Sequence, residues 1–301
     1  MTVCSSEQPS RERSSAGCSN LNNAFAAKTG RVAGMKRLCP AALVVVCAVA
    51  IPGARPLEPP ALADAQHLFY NARYEETVAL TRALSAPDLG TVAILELRTS
   101  ALLFQLKGLV EDRPKNALKT CATCPALVAD FAAEFNRGKT LARSALAADP
   151  RNDAALFFLG KLDLNYVWLQ LGPLQRKTGW DEYWEARASL DEVLRRNPRH
   201  VRARVARAWI SYIVDTRLPW GTRWLLGGGD RKQALADMQE AAQMDTDFFA
   251  HVEAEFGLWD MRVRERDLTR ATDVARRLAE TFPDNRELAA FLDGRAAGLR
   301  R

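Results

Sequence analysis

The sequence predicts an all-α protein of stacked helical hairpins, and three observations carry that prediction. First, the chain repeats itself. Pro198 follows Pro150 by 48 residues and Thr246 follows Pro198 by 48. Each closes a helical pattern, at Asp149-Pro150-Arg151-Asn152, Asn197-Pro198-Arg199-His200 and Asp245-Thr246-Asp247. Second, small residues stand at one offset before each closure: Gly138, Ala186 and Ala234. Ala142/Ala145, Leu190/Val193 and Met238/Ala241 follow four and seven residues on, which lays one apolar stripe along each helix. Third, no stretch alternates apolar and polar residues with the period of two that a half-buried strand needs. Repetition at a fixed period marks an array in which each unit buries the face its neighbour leaves open.

The elements follow in order. Residues 1–34 are rich in Ser, Asn, Gly and Ala without periodicity and read as disordered. At Met35 a basic start, Lys36-Arg37, precedes an almost wholly apolar run from Leu38 to Ile51, then Pro52-Gly53-Ala54. This is the pattern of a signal peptide over 35–54, with Ala48-Val49-Ala50 as a cleavage site and a mature start between Ile51 and Arg55. Met35 then reads as the translation start and 1–34 as an upstream extension. The run is short for a span of about 20 residues. The competing reading is an uncleaved anchor, the one route by which this chain would hold a membrane. Cleavage implies a periplasmic or secreted protein. Residues 55–60 are a Pro-rich linker, and 61–301 form the helical array.

Helices are expected over Ala61–Asn71 and Tyr74–Ala86, ended by Pro87. Thr91–Val110 carries Val92, Leu95, Leu102, Leu106 and Leu109 on one side. Residues 111–124 break the pattern, and Pro125–Ala148 resumes it. Two 48-residue units and a shorter unit closing at Pro283 follow. A last helix, Arg286–Leu299, has no mate and caps the array.

The residues inside these units resemble the tetratricopeptide repeat (TPR) family, whose unit of about 34 residues has small residues in both helices and a Pro at the turn. Leu156, Leu159 and Gly160 match the first helix, and Ala186, Leu190, Val193 and Pro198 the second helix and turn. Ala208, Ala234, Met238 and Ala241 repeat the match, as do Ala271, Ala275 and Leu278. Arg204, Arg207 and Phe256 depart from it. The resemblance implies a TPR-like solenoid with two extended inter-helix loops and a C-terminal cap. It further implies a groove lined by first helices, where Lys161, Asn165, Arg202, Trp209, Tyr212 and Glu253 fall. These could hold a peptide or an anionic group; equally, Trp209 and Tyr212 could be packing between repeats.

Each long unit exceeds the family length by 14 residues, and regular stacking places both insertions on one edge. Four of the seven tryptophans fall there, Trp180, Trp184, Trp220 and Trp224, with Arg176, Lys177, Arg217 and Arg223. Trp and Arg are favoured at binding hot spots. The competing reading is a small core sealed under long loops. We expect Trp224, beside Leu225 and Leu226, to seal, and Trp220, between Pro219 and Gly221, to recognise. Gly227-Gly228-Gly229 lacks the Gly-Lys-Ser/Thr ending of a phosphate loop and reads as a tight turn, with Asp230 capping the next helix.

Cys121-Ala122-Thr123-Cys124-Pro125 lacks the His of a haem-attachment motif, and no second ligand pair suggests zinc. An exported protein would oxidise Cys121 and Cys124 to a disulfide. A thiol-disulfide role is an alternative, because Cys124 opens a helix, where a thiolate is favoured. Three scattered histidines leave little general-base capacity, so no catalytic residue, cofactor or metal is expected. The net charge of +6 lies largely in residues 1–38, with Arg11, Arg13, Lys28, Arg31, Lys36 and Arg37, which argues against nucleic acid as partner. The expectation is a scaffold for a protein or peptide, in which oligomers are possible. A weaker similarity joins Gly228-Gly229-Asp230, Leu235, Met238, Phe248-Phe249-Ala250-His251 and Arg266-Asp267-Leu268 to the periplasmic TPR-like component of tripartite (TRAP) transporters. It implies a trimer with a ligand pore.

Overall fold

A computed structural model describes residues 60–84, 88–110, 117–217 and 220–298. The signal segment, the residues before it, most of the linker, Pro87 and Leu299 lie outside the described residues, as does the side chain of Trp220. The described residues are helical and contain no strand. The helices are α1 (Pro60–Tyr70), α2 (Tyr74–Ala83), α3 (Asp88–Val110), α4 (Ala117–Thr120), α5 (Cys124–Ala148), α6 (Asp153–Leu171) and α7 (Trp180–Arg196). Then come α8 (Val201–Arg217), a 3-10 segment (Trp220–Leu226), α9 (Arg231–Gln243), α10 (Phe248–Arg264), α11 (Leu268–Thr281) and α12 (Arg286–Gly298).

These helices pack as consecutive pairs, α1 with α2, α3 with α5, α6 with α7, α8 with α9 and α10 with α11, and α12 lies on α11. Side-chain caps set where the helices begin. Asn152 accepts from the Ala155 amide at 2.9 Å, the His200 Nδ1 from Ala203 at 3.2 Å, Asp247 from Ala250 at 2.9 Å and Asn285 from Leu288 at 2.9 Å. Each satisfies an amide that has no partner inside its own helix, typically worth about 1 kcal/mol. The cap at His200 needs an unprotonated Nδ1, and burial, helped by the Arg202 charge, lowers the pKa of this imidazole.

The small-residue offset marks the helix crossings. Ala186 and Ala234 are fully buried, and Gly138 is also buried. A Cβ on Gly160 would stand 3.0 Å from Leu190 and 3.2 Å from the Ala186 carbonyl, so α6 meets α7 in close contact there. Core residues run on from pair to pair: Leu102, Phe131 and Leu162, then Leu164, Leu190 and Ile210, then Met238, Met261 and Leu278.

The first insertion departs from the expected loop. Helix α6 runs on to Leu171, because Val167 and Leu169 still face the core, and α7 begins at Trp180. Only residues 172–179 connect them. The second insertion is organised as the 3-10 segment.

Periodicity did not foretell that the N-terminal pair meets the C-terminal helices. Tyr70 stacks on Phe256 with ring centres 5.3 Å apart, and His67 lies edge-on to Phe249 at 5.1 Å. The Asn285 Nδ2 donates to the Tyr70 carbonyl at 2.7 Å, the Asp284 amide to Asn71 at 3.2 Å, and the Tyr74 hydroxyl to Glu287 at 3.2 Å. Burial, with the Glu287 charge, raises the Tyr74 pKa, so this hydroxyl remains a donor.

Candidate interaction surfaces

The first helices of four pairs bring a polar cluster together. Helix α3 contributes Glu96, Thr99 and Ser100, α6 contributes Lys161 and Asn165, α8 Arg202 and α10 Glu253. The Lys161 Nζ donates to Glu253 at 2.7 Å, and the Arg202 Nε to the other Glu253 oxygen at 2.5 Å. Arg202 also lies 3.2 Å from Glu96, and Lys161 lies 3.7 Å from it. The Asn165 amide donates to Ser100 at 2.9 Å and to Thr99 at 3.1 Å. Two cations and two carboxylates thus balance within the fold. Burial opposes the charge on Glu253, but Arg202 and Lys161 outweigh it and pull its pKa to about 2. Arg202 is correspondingly raised, the neighbouring carboxylates overcoming its burial.

Of the six residues expected in the groove, Lys161, Asn165, Arg202 and Glu253 meet in this cluster. Trp209 and Tyr212 stand apart. Their rings meet edge-on at 5.7 Å, Arg264 lies over Trp209, and the Tyr212 hydroxyl donates to Glu265 at 2.8 Å. Burial and that bond push the Tyr212 pKa up to about 12. Glu96 was missed. Its signal was present, as a carboxylate inside the apolar run Ile94–Leu97 of α3.

A second network joins α5, α6 and α7. The Lys139 Nζ is 2.7 Å from Asp163 and 2.8 Å from Glu185, and Arg143 also donates to Glu185 at 2.8 Å. Asp163 is fully buried, and one of its oxygens has no donor among the described residues. Burial raises its pKa to about 8, against the pull of Lys139. For Glu185, hydrogen bonds from Lys139 and Arg143 overcome burial and hold it below the ordinary value.

Helix α7 meets the segment that follows α8. The Tyr183 hydroxyl donates to the Leu226 carbonyl at 2.8 Å. The Arg187 Nη1 donates to the same carbonyl at 2.5 Å, and its Nη2 to the Gly227 carbonyl at 3.1 Å. Gly227 and Gly228 take positive φ, 76° and 74°, in the turn beyond. A Cβ on Gly229 would come within 2.6 Å of the Ser211 carbonyl, so the turn can approach α8 only as glycine. Asp230 then caps α9, accepting from Lys232 and Gln233.

Around this junction the aromatic residues face water. Trp180 is 45% exposed, Trp184 44%, Trp224 72% and Leu225 53%. The expectation that Trp224 seals a core is therefore corrected. In a 3-10 segment positions three apart share a side. Arg223 and Leu226 take the inner side, Arg223 pairing with Asp215 and Leu226 packing beside α7, which turns Trp224 and Leu225 outward. The Trp224 indole donates to the Gly221 carbonyl at 2.9 Å. Arg187 lies over the Trp184 ring at 5.9 Å. No Trp ring stacks on another among the described residues. Arg176 is exposed in the connection before α7.

Cys121 and Cys124 form a disulfide at the start of α5, with 9% and 1% of their surface exposed. Among the described residues no cluster of three metal-ligating side chains occurs. None of their helices is long and apolar enough to cross a membrane. No protein-family model, curated protein or solved structure matches the chain.

Proposed function

We propose that this chain is an exported TPR-type scaffold, a binding rather than a catalytic protein, and that it recognises a protein partner through the edge formed by Trp180, Trp184 and Trp224. The observation that carries this reading is the contrast between its two candidate faces. The inner face spends its charges on itself, in the Glu96–Lys161–Arg202–Glu253 cluster. At the edge three tryptophans stay in water although their backbones are fixed by helix α7 and by the Tyr183 and Arg187 bonds. Rigid aromatic anchors lose little conformational freedom on binding, which suits them to recognition. The test is capture from a periplasmic extract with the unmodified chain and with Trp180, Trp184 and Trp224 each changed to Ala. A partner held equally by all four proteins would sink the edge as its docking site.

A second reading is the periplasmic component of a TRAP-type transporter. It is favoured by the convergence of four helices on a polar interior, where a small charged solute could replace an internal ion pair. Calorimetric titration with carboxylates and amino acids tests it, and the absence of heat with every member of such a panel argues against it.

A further inference from the structure

We propose that the tryptophan edge pairs with the same edge of a second copy of this chain, so that the scaffold is a two-fold dimer. The proposal rests on the reading of this edge as a protein-binding surface and names the partner.

Area is the first argument. A tryptophan offers at most about 250 Å², so the three exposures leave roughly 400 Å² of tryptophan in water. Leu225, 53% exposed, adds to this. The resulting patch is near the upper end, about 600 Å², of what a monomer ordinarily exposes. Paired across a two-fold axis, the apolar residues of both copies bury on the order of 1,000 Å², the least that a specific interface needs, before any rim contact is added. An isologous contact needs only one such patch.

Charge is the second. The exposed charges beside the patch are Arg176, Lys177, Arg217 and Arg231 with Asp181 and Asp230, while Asp215 pairs with Arg223 and Glu182 lies near Lys139 of the same copy. Both signs are present at the rim, so a two-fold axis can set a cation of one copy against a carboxylate of the other. Rigidity is the third. Arg187 lies over Trp184 while tying down the Leu226 and Gly227 carbonyls, so both halves of the patch are held in one arrangement before any partner arrives.

The experiment is sedimentation equilibrium on the full chain, beside Trp184→Glu/Trp224→Glu and the control Leu141→Glu. Leu141 is a solvent-facing apolar residue of α5, outside the patch, 36% exposed. The expected result is a dimer for the unmodified chain and the control. The double variant should sediment as a monomer with an unchanged helical circular dichroism spectrum. An unmodified chain that sediments as a monomer overturns the proposal, and so does association that persists in the double variant. If that monomer still captures another protein, and loses it on Trp224→Glu, self-pairing fails while the edge remains a recognition surface. If capture is also unaffected, both readings fail.

Discussion

Arg202 and Glu253, 51 residues apart, share a hydrogen bond of 2.5 Å, while Lys161 holds the other oxygen of the same carboxylate. The pair ties α8 to α10 and, through Lys161 and Glu96, to α6 and α3. Its members are largely out of water, so each is stable as an ion only while the others are charged. Replacing Glu253 with Gln is expected to cost about 3–5 kcal/mol, because two cations would be left with Glu96 alone. Urea unfolding measures this; a loss below about 1 kcal/mol would mean the cluster is more hydrated than its geometry suggests.

The same carboxylate sets the acid limit. Its pKa falls from the ordinary 4.5 to about 2 in the folded protein. A depressed carboxylate contributes stability that is complete above its unfolded value and lost as pH falls through the folded one. Glu253 should therefore supply about 3 kcal/mol above pH ~4.5, fading towards pH ~2. Glu253→Gln should flatten that limb of a stability profile.

Asp163 works in the opposite direction. Its pKa is raised from 3.8 to about 8, chiefly by burial. The folded protein therefore keeps a proton that the unfolded chain gives up, and stability falls as pH rises between those two values. The slope is at most about 1.4 kcal/mol per pH unit. Asp163→Asn should abolish it, so the variant gains on the parent as pH rises from 5 to 8. Parallel profiles for the two proteins would contradict the assignment.

Much of the helical plan was legible in the sequence, because periodicity and capping are local. The 48-residue step places α6 at Asp153 and α8 at Val201, and Gly160, Ala186 and Ala234 mark crossings by their size alone. The pairing of the chain ends was not legible. Asn285 and Tyr70 meet 215 residues apart through a side chain and a carbonyl, and nothing in either segment's spacing encodes its partner. Glu96 and Arg202 are separated by 106 residues for the same reason. The exposure of Trp224 was misjudged because Leu225 and Leu226 were read as a single apolar unit. A 3-10 segment turns those two neighbours to different sides, leaving Leu225 in water and Leu226 inward.

Gly160→Ala tests the crossing directly. Alanine gains about 1 kcal/mol of helix propensity over glycine. Its Cβ, however, would press on Leu190 and on the Ala186 carbonyl, and the carbonyl cannot rotate away. A net loss of about 1–2 kcal/mol is expected, within the range for overpacked cores. A stabilised variant would show that α6 and α7 can separate freely.

Changing both Cys121 and Cys124 to Ser opens a very short loop. Chain entropy then predicts a loss of about 2 kcal/mol. Partner capture should be unchanged, since the disulfide sits at the start of α5, in a hydrophobic cluster that holds none of Trp180, Trp184 and Trp224. Loss of capture with intact helicity would revive a role for the cysteines beyond structure.

The last prediction separates the two kinds of residue at the edge. Trp224 is 72% exposed, and its indole hydrogen bond, to the Gly221 carbonyl, lies within its own segment. Trp224→Ala should therefore leave the melting temperature nearly unmoved while weakening partner binding by about 2 kcal/mol or more, as removal of a hot-spot anchor does. Arg187 differs. Its guanidinium bonds two carbonyls of the second insertion and covers Trp184. Arg187→Ala removes a donor from each carbonyl, although Tyr183 still reaches Leu226. The loss should be about 1–3 kcal/mol of stability, the range for bonds to a charged group. Hydrogen exchange at Gly227 and Gly228 should rise, and binding should weaken because the anchors lose their fixed backbone. Melting curves and titrations on the two variants distinguish the roles. If Trp224→Ala unfolds the chain and Arg187→Ala does not, the edge is a core element and the tryptophans are not its recognition surface.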